Sequence, residues 1–144
     1  MRRAVGVLVA ILGAAAATPA AAEIGRLKNM SGDVAVMRGA TRLAVKPGFK
    51  LDQGDVVMTG KDGRVGIAYL DNTRMSLGRN SRIRVSEFAY DRTRQRGTFV
   101  TTLERGLLGV NSGLIAKSGR KAMLVRTPTS LLAVRGARIV VEVK

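Results

Sequence analysis

The sequence predicts an all-β protein: a single domain of short strands, β-solenoid-like or wound as a twisted β-roll, with a β-sandwich or jelly roll as the alternative. Three observations carry this. Gly, Asn and Asp punctuate the chain about every 8–12 residues, the spacing of short strands and turns. The runs between them are rich in Val, Ile and Leu and alternate with period two. From residue 23 onward no segment sustains apolar side chains at i, i+3 and i+4 between capping residues.

The N-terminus is set apart from that pattern. Arg2 and Arg3 precede a 14-residue apolar stretch, Ala4 to Ala17; Thr18-Pro19 then breaks it, and Ala20-Ala21-Ala22 supplies small residues before Glu23. This order is that of a cleavable export signal. A membrane-spanning helix needs about 20 apolar residues, more than this stretch provides. Residues 1–22 are expected to be a signal peptide, residues 23–144 the mature domain, and the periplasm its location.

Strands follow in order. Asp33–Met37 places Val34 and Val36 on one face, and Asp55–Thr59 reads similarly. Arg64–Leu70 puts Val65, Ile67 and Tyr69 on one side, with Gly66 and Ala68 opposite. Arg74–Leu77 and Arg82–Val85 are further arginine-led strands. Lys46-Pro47-Gly48 predicts a turn, and Asp62-Gly63 and Asp71-Asn72 predict hairpins. Near Ser86 the alternation slips: Ile83 and Val85 have one parity, Phe88 and Tyr90 the other. A one-residue bulge would return all four to the core. Arg92 to Gly97 reads as an exposed loop.

The mature chain is strongly basic. Without Arg2 and Arg3, 23 Lys and Arg face 10 Asp and Glu, a formal +13. That field favours anionic partners; behind an export signal these are an acidic envelope protein or an anionic envelope polymer. Five aromatics, Phe49, Tyr69, Phe88, Tyr90 and Phe99, supply a poor base-stacking platform, which argues against nucleic acid. Six arginines, Arg79, Arg82, Arg84, Arg92, Arg94 and Arg96, fall within 18 residues, offset by Glu87 and Asp91. They form the candidate partner surface, with Arg82 and Arg84 expected to project into solvent and Arg92 to Arg96 in the adjoining loop.

Catalytic patterns fail one by one. The chain has no His and no Cys, which removes His-based triads, thiol nucleophiles, disulfides and ordinary zinc ligands. Ser118-Gly-Arg-Lys121 matches a Ser-x-x-Lys spacing, but its glycine, its flanking strands and the missing partner motifs make it a surface turn. Gly54 to Lys61 is one residue too long for a phosphate loop, and Asp62 stands where Ser or Thr must bind magnesium. No catalytic, cofactor or metal site is expected.

Three segments taken together resemble the FecR domain, the periplasmic module of iron-dicitrate sensor-type proteins. Gly54-Asp55 through Thr59-Gly60 and on to Asp71 resembles the family's central run. Arg74 to Ser81 with Ile83–Val85 resembles its continuation. Gly106 to Ser112-Gly113, then Thr127-Pro128 to Arg135-Gly136, resembles its closing segment. Ala137 departs from the family's usual threonine. The resemblance implies a non-enzymatic periplasmic module that recognises another envelope component. Alternatives are an accessory subunit docking with a transporter or sensor of a signalling or uptake system, and a basic binder of anionic envelope polymers. Full sensors of the family carry a cytoplasmic anti-sigma segment and a membrane helix where this chain shows an export signal, so direct relay to a sigma factor is not expected. Physically, glycines at 54, 60, 113 and 136 suit tight corners, and Pro128 holds Thr127 extended. Arg135, after the apolar run Leu131–Val134, is expected to be partly buried and structural.

Overall fold

The computed structural model describes Gly13 and residues 23–136 and 138–144; the expected export signal lies outside the described residues. The described residues form twelve strands: β1 (Glu23–Ser31), β2 (Val34–Arg38), β3 (Thr41–Ala44), β4 (Lys50–Asp52), β5 (Val56–Thr59), β6 (Arg64–Tyr69), β7 (Arg74–Leu77), β8 (Arg82–Asp91), β9 (Arg96–Asn111), β10 (Met123–Arg126), β11 (Leu131–Ala133) and β12 (Arg138–Val143). One short helix, α1 (Leu114–Ser118), interrupts them.

The strands form one curled sheet in the order β3-β2-β5-β8-β9-β7-β6-β1-β4, with β10 and β12 also pairing β9, and β11 pairing β10. Pairing is antiparallel throughout except for β9 with β10, so the chain takes the twisted-roll form of an all-β fold. The 16-residue β9 joins the two halves. Its first part pairs β8 and β10, and its second pairs β7 and β12. The change of direction falls at Gly106, whose φ of 96° an L side chain rarely adopts. A Cβ there would collide with Ser81.

Period-two alternation sets which side chains fill the interior. Leu27, Val57, Ile67, Met75, Ile83, Leu103 and Leu108 are fully buried, contributed by strands of both halves. At the centre Tyr69, Phe88 and Phe99 meet: Phe99 lies edge-on to Tyr69 at 4.7 Å and to Phe88 at 4.9 Å. Such pairs add about 0.5–1.5 kcal/mol beyond their burial. The slip near Ser86 is a bulge: Val85 pairs Thr101 and Glu87 pairs Val100. Ile83, Val85 and Phe88 are buried and Tyr90 is half-buried.

Two turns behave as expected and one does not. Gly48 (φ 91°) completes the Lys46–Phe49 turn, with Phe49 N–H donating to the Lys46 carbonyl at 3.1 Å. Asn72 (φ 69°) turns β6 into β7. Asp62-Gly63 is not a hairpin, because β5 pairs β2 and β8 while β6 pairs β1 and β7. The turn crosses between the halves, and Gly63 is needed for a different reason: a Cβ would strike the Asp33 carbonyl.

Candidate functional surface

The polar residues of the sequence motifs point inward and lock turns together. Asp55 is 1% exposed. Its carboxylate accepts Arg38 Nε at 3.0 Å, Arg38 Nη2 at 2.8 Å and the Asp52 N–H at 2.9 Å. Arg38 also donates to the Lys50 carbonyl and lies over the Phe49 ring. The bond to Asp55 raises the Arg38 pKa further. Gly54 (φ 88°) donates its N–H to the Val85 carbonyl. Together these groups tie the β4–β5 turn to β2 and β8.

A second node joins β5, the β7–β8 turn and the bend of β9. Thr59 Oγ1 donates to the Gly78 carbonyl at 2.6 Å and accepts the Ser81 N–H at 2.9 Å. Gly60 N–H donates to the Asp33 carbonyl, and the Gly60 carbonyl accepts the Asn80 N–H. Ser81 Oγ accepts the Leu107 N–H beside Gly106. The third node is buried. Asp71 accepts Thr73 N–H and Thr73 Oγ1 and, through Oδ2, the Ile115 N–H; Thr73 Oγ1 accepts the Gly113 N–H. Half-buried Ser112 precedes Gly113, where a Cβ would collide with the Asp71 carbonyl. Burial first, and the Asp71 charge second, push the Tyr69 phenol well above its ordinary range. Thr127 and Pro128 occupy the β10–β11 turn, closed by Thr127 N–H to the Ser130 carbonyl at 2.9 Å.

Arg135 departs from expectation. It is exposed, and makes no hydrogen bond or ion pair among the described residues. The apolar run before it is itself outward: Leu131 is 58% exposed and Leu132 37%, because β11 pairs only β10 at an edge, and Val134 alone of that run is buried. Gly136, with φ 56°, makes the exposed turn that follows.

The six arginines from 79 to 96 are spread along β8 and the turns at its two ends. β8 runs extended between Arg84 and Arg92, which puts up to about 26 Å between them at roughly 3.3 Å per residue. Arg79 occupies the β7–β8 turn. Arg82 is half-buried rather than projecting into solvent: its Nε stands 2.6 Å from Glu104 Oε2, a close ion pair not aligned as a hydrogen bond, and Nη1 touches Met58 Sδ. Arg84 is exposed. Arg92, Arg94 and Arg96 crown the exposed β8–β9 turn, where Asp91 accepts the Thr93 and Arg94 N–H groups.

A basic row absent from the sequence reading crosses the other half of the sheet. Strand register aligns Lys50, Arg26, Ala68, Arg74, Asn111 and Arg138 on β4, β1, β6, β7, β9 and β12. In-register partners share a face, and all six are exposed except half-buried Ala68. Beside them runs a floor of Gly66, Ser76 and Gly109, ending at Val140. A β1 bulge sets Lys28 and Asn29 against Gly66. The arginine-led openings of β6 and β7 were visible in the sequence; the cross-strand register that aligns Arg74 with Arg26 and Arg138 was not.

The FecR protein family model matches residues 55–144, from the buried Asp55 node through β12. The chain belongs to the FecR family. No curated protein and no solved structure matches it. The family is associated with envelope signalling sensors and is regulatory rather than enzymatic. β1–β4 precede the matched FecR segment and complete its sheet. No helix among the described residues is long and apolar enough to cross a membrane.

Proposed function

We propose that this FecR-family chain is an exported, non-enzymatic periplasmic module whose mature form begins at Glu23 and which recognises another envelope component. The observation that carries the reading is the direction of the motif side chains. Asp55, Thr59 and Asp71 spend their hydrogen-bonding capacity on turns inside the FecR fold. Recognition is left to the outer surface, where the excess of cations selects an anionic partner. The order Arg2-Arg3, apolar stretch, Ala20-Ala21-Ala22 supports export.

The test is fractionation followed by mass spectrometry and crosslinking in the native envelope. The expected result is a chain lacking residues 1–22 in the periplasmic fraction, crosslinked to an envelope component through its outer face. A full-length chain retained in the cytoplasm would overturn the reading. So would turnover of a substrate that depends on the Asp55 or Asp71 carboxylate in variants that remain folded.

A further inference from the structure

The β4-β1-β6-β7-β9-β12 face repeats its charges at a fixed interval. Neighbouring strands lie about 4.8 Å apart. Arg26 and Arg74 are two strands apart, as are Arg74 and Arg138, so their Cα positions recur at roughly 10 Å, and with Lys50 the row spans roughly 24 Å. Lys50, Arg74 and Arg138 make no ion pair among the described residues, and Arg26 pairs with Glu23. Acids are few, and one of them, Glu23, reaches the row at Arg26. Glu23 is held ionised chiefly by its hydrogen bond to Arg26, Asp52 at the end of β4 pairs with Arg38, and Glu142 sits at the far end of β12.

Between and beside the cations the surface is shallowly indented and hydrogen-bonding. Gly66 and Gly109 flank Ser76 in register. Shallow depressions of about 390 and 410 Å³ share Asn29, Gly66 and Ser76, with Arg64 at the rim of one and Lys28 and Arg74 at the other. Asn29, Ser76 and Asn111 add neutral donors and acceptors. The face offers no aromatic side chain for stacked bases and no Trp, Tyr or Phe to anchor a protein partner. Its large apolar groups, Val140 and Leu107, stand toward one edge.

We infer that this face binds a linear anionic polysaccharide laid across the strands. Carboxylates spaced on the scale of a disaccharide meet Arg26, Arg74 and Arg138, and sugar hydroxyls lie over the Gly66–Ser76–Gly109 floor. Small floor residues admit the rings, the neutral side chains satisfy hydroxyls, and the arginines fork onto carboxylates. The inference deepens the proposed recognition of an envelope component and rests on it for the compartment.

The experiment measures binding of the mature chain to an immobilised polyuronate at low salt, with dextran as the neutral polymer and anionic phospholipid vesicles as a competing surface. Two variants lose the same charge: Arg26→Gln/Arg74→Gln/Arg138→Gln in the row and Arg92→Gln/Arg94→Gln/Arg96→Gln at the β8–β9 turn. All six side chains are exposed, and unchanged unfolding midpoints verify that both variants fold. Arg74→Glu, a single change at the row's centre, provides an independent second variant. The row variant should lose affinity about 10- to 100-fold, from roughly fivefold or less per arginine, while the turn variant changes by less than about threefold. Arg74→Glu should also weaken binding, and dextran should not be retained. Equal losses from both triple variants, equal binding to dextran, or tighter row-dependent binding to vesicles than to polyuronate would overturn the inference. A loss confined to the turn variant would overturn the row while leaving envelope recognition intact. Envelope recognition itself fails separately, if the chain is not exported.

Discussion

Asp55→Ala separates a structural motif from a binding one. The substitution removes a carboxylate that accepts two Arg38 donors and the Asp52 N–H inside a turn where Asp55 is 1% exposed. The Asp52 N–H loses its acceptor in that packed turn, at a cost of about 1–3 kcal/mol. Arg38 contributes less, because its side chain is 42% exposed and rehydrates once released; its pair is held to about 1 kcal/mol or below. The total is about 1–4 kcal/mol, and at its middle, about 2–3 kcal/mol, the melting temperature falls by roughly 10 °C for a domain of this size. Urea unfolding followed by circular dichroism should show a lower midpoint at unchanged slope. Asp55→Asn, which keeps one acceptor oxygen, should lose about half as much, whereas Arg38→Ala, which leaves the buried Asp55 carboxylate without its cation, should lose at least as much as Asp55→Ala. A change within about 0.5 kcal/mol of the parent protein, or an Arg38→Ala variant as stable as the parent, would refute the reasoning.

Other substitutions probe the remaining elements. Tyr69 Oη is buried without a hydrogen-bond partner among the described residues, so Tyr69→Phe should be neutral or stabilise by up to about 1 kcal/mol at pH 7. The same phenol ionises near pH 10 in the unfolded chain and later in the folded one, so the native state retains the proton longer. The stability of the parent protein relative to the Tyr69→Phe variant should therefore be constant below about pH 10 and fall above it; a flat difference to higher pH would show that burial does not hold the phenol neutral. Gly106→Ala meets both a positive φ and Ser81, and should cost more than about 2 kcal/mol by thermal melting. Arg135→Ala should stay within about 0.5 kcal/mol of the parent, because the side chain touches no buried acceptor.

The sequence reached those parts of the fold that local chemistry determines. Alternation located the buried Val65, Ile67 and Tyr69, and the parity slip at Ser86 located the bulge. It could not distinguish an exposed edge from a core strand, so the apolar Leu131–Val134 run suggested burial for Arg135. Nor could it tell a hairpin from a crossing: Asp62-Gly63 carries hairpin chemistry, yet its flanking strands find partners far away in the chain. The short helix α1 was missed because five residues cannot display a helical stripe. Counting arginines along the chain grouped six that β8 separates. The row containing Arg26, Arg74 and Arg138 draws on residues more than a hundred positions apart, and only strand register brings them into line.

The continuity of β9 through both halves bears on how this chain can assemble. β8 finds its longest pairing, and β7 one of its neighbours, in a segment that begins at Arg96. Until that segment is available, β7 and β8 present open backbone edges, which are templates for wrong pairing and aggregation. Long-range pairing of this kind is slow because loop closure precedes its reward. An N-terminal fragment ending before Arg96 would therefore expose those edges, whereas arrival of β9 closes both halves in a single step. Amide exchange in the native protein should accordingly protect β7, β8 and β9 as one cooperative unit, with the edge strands β3 and β11 opening first.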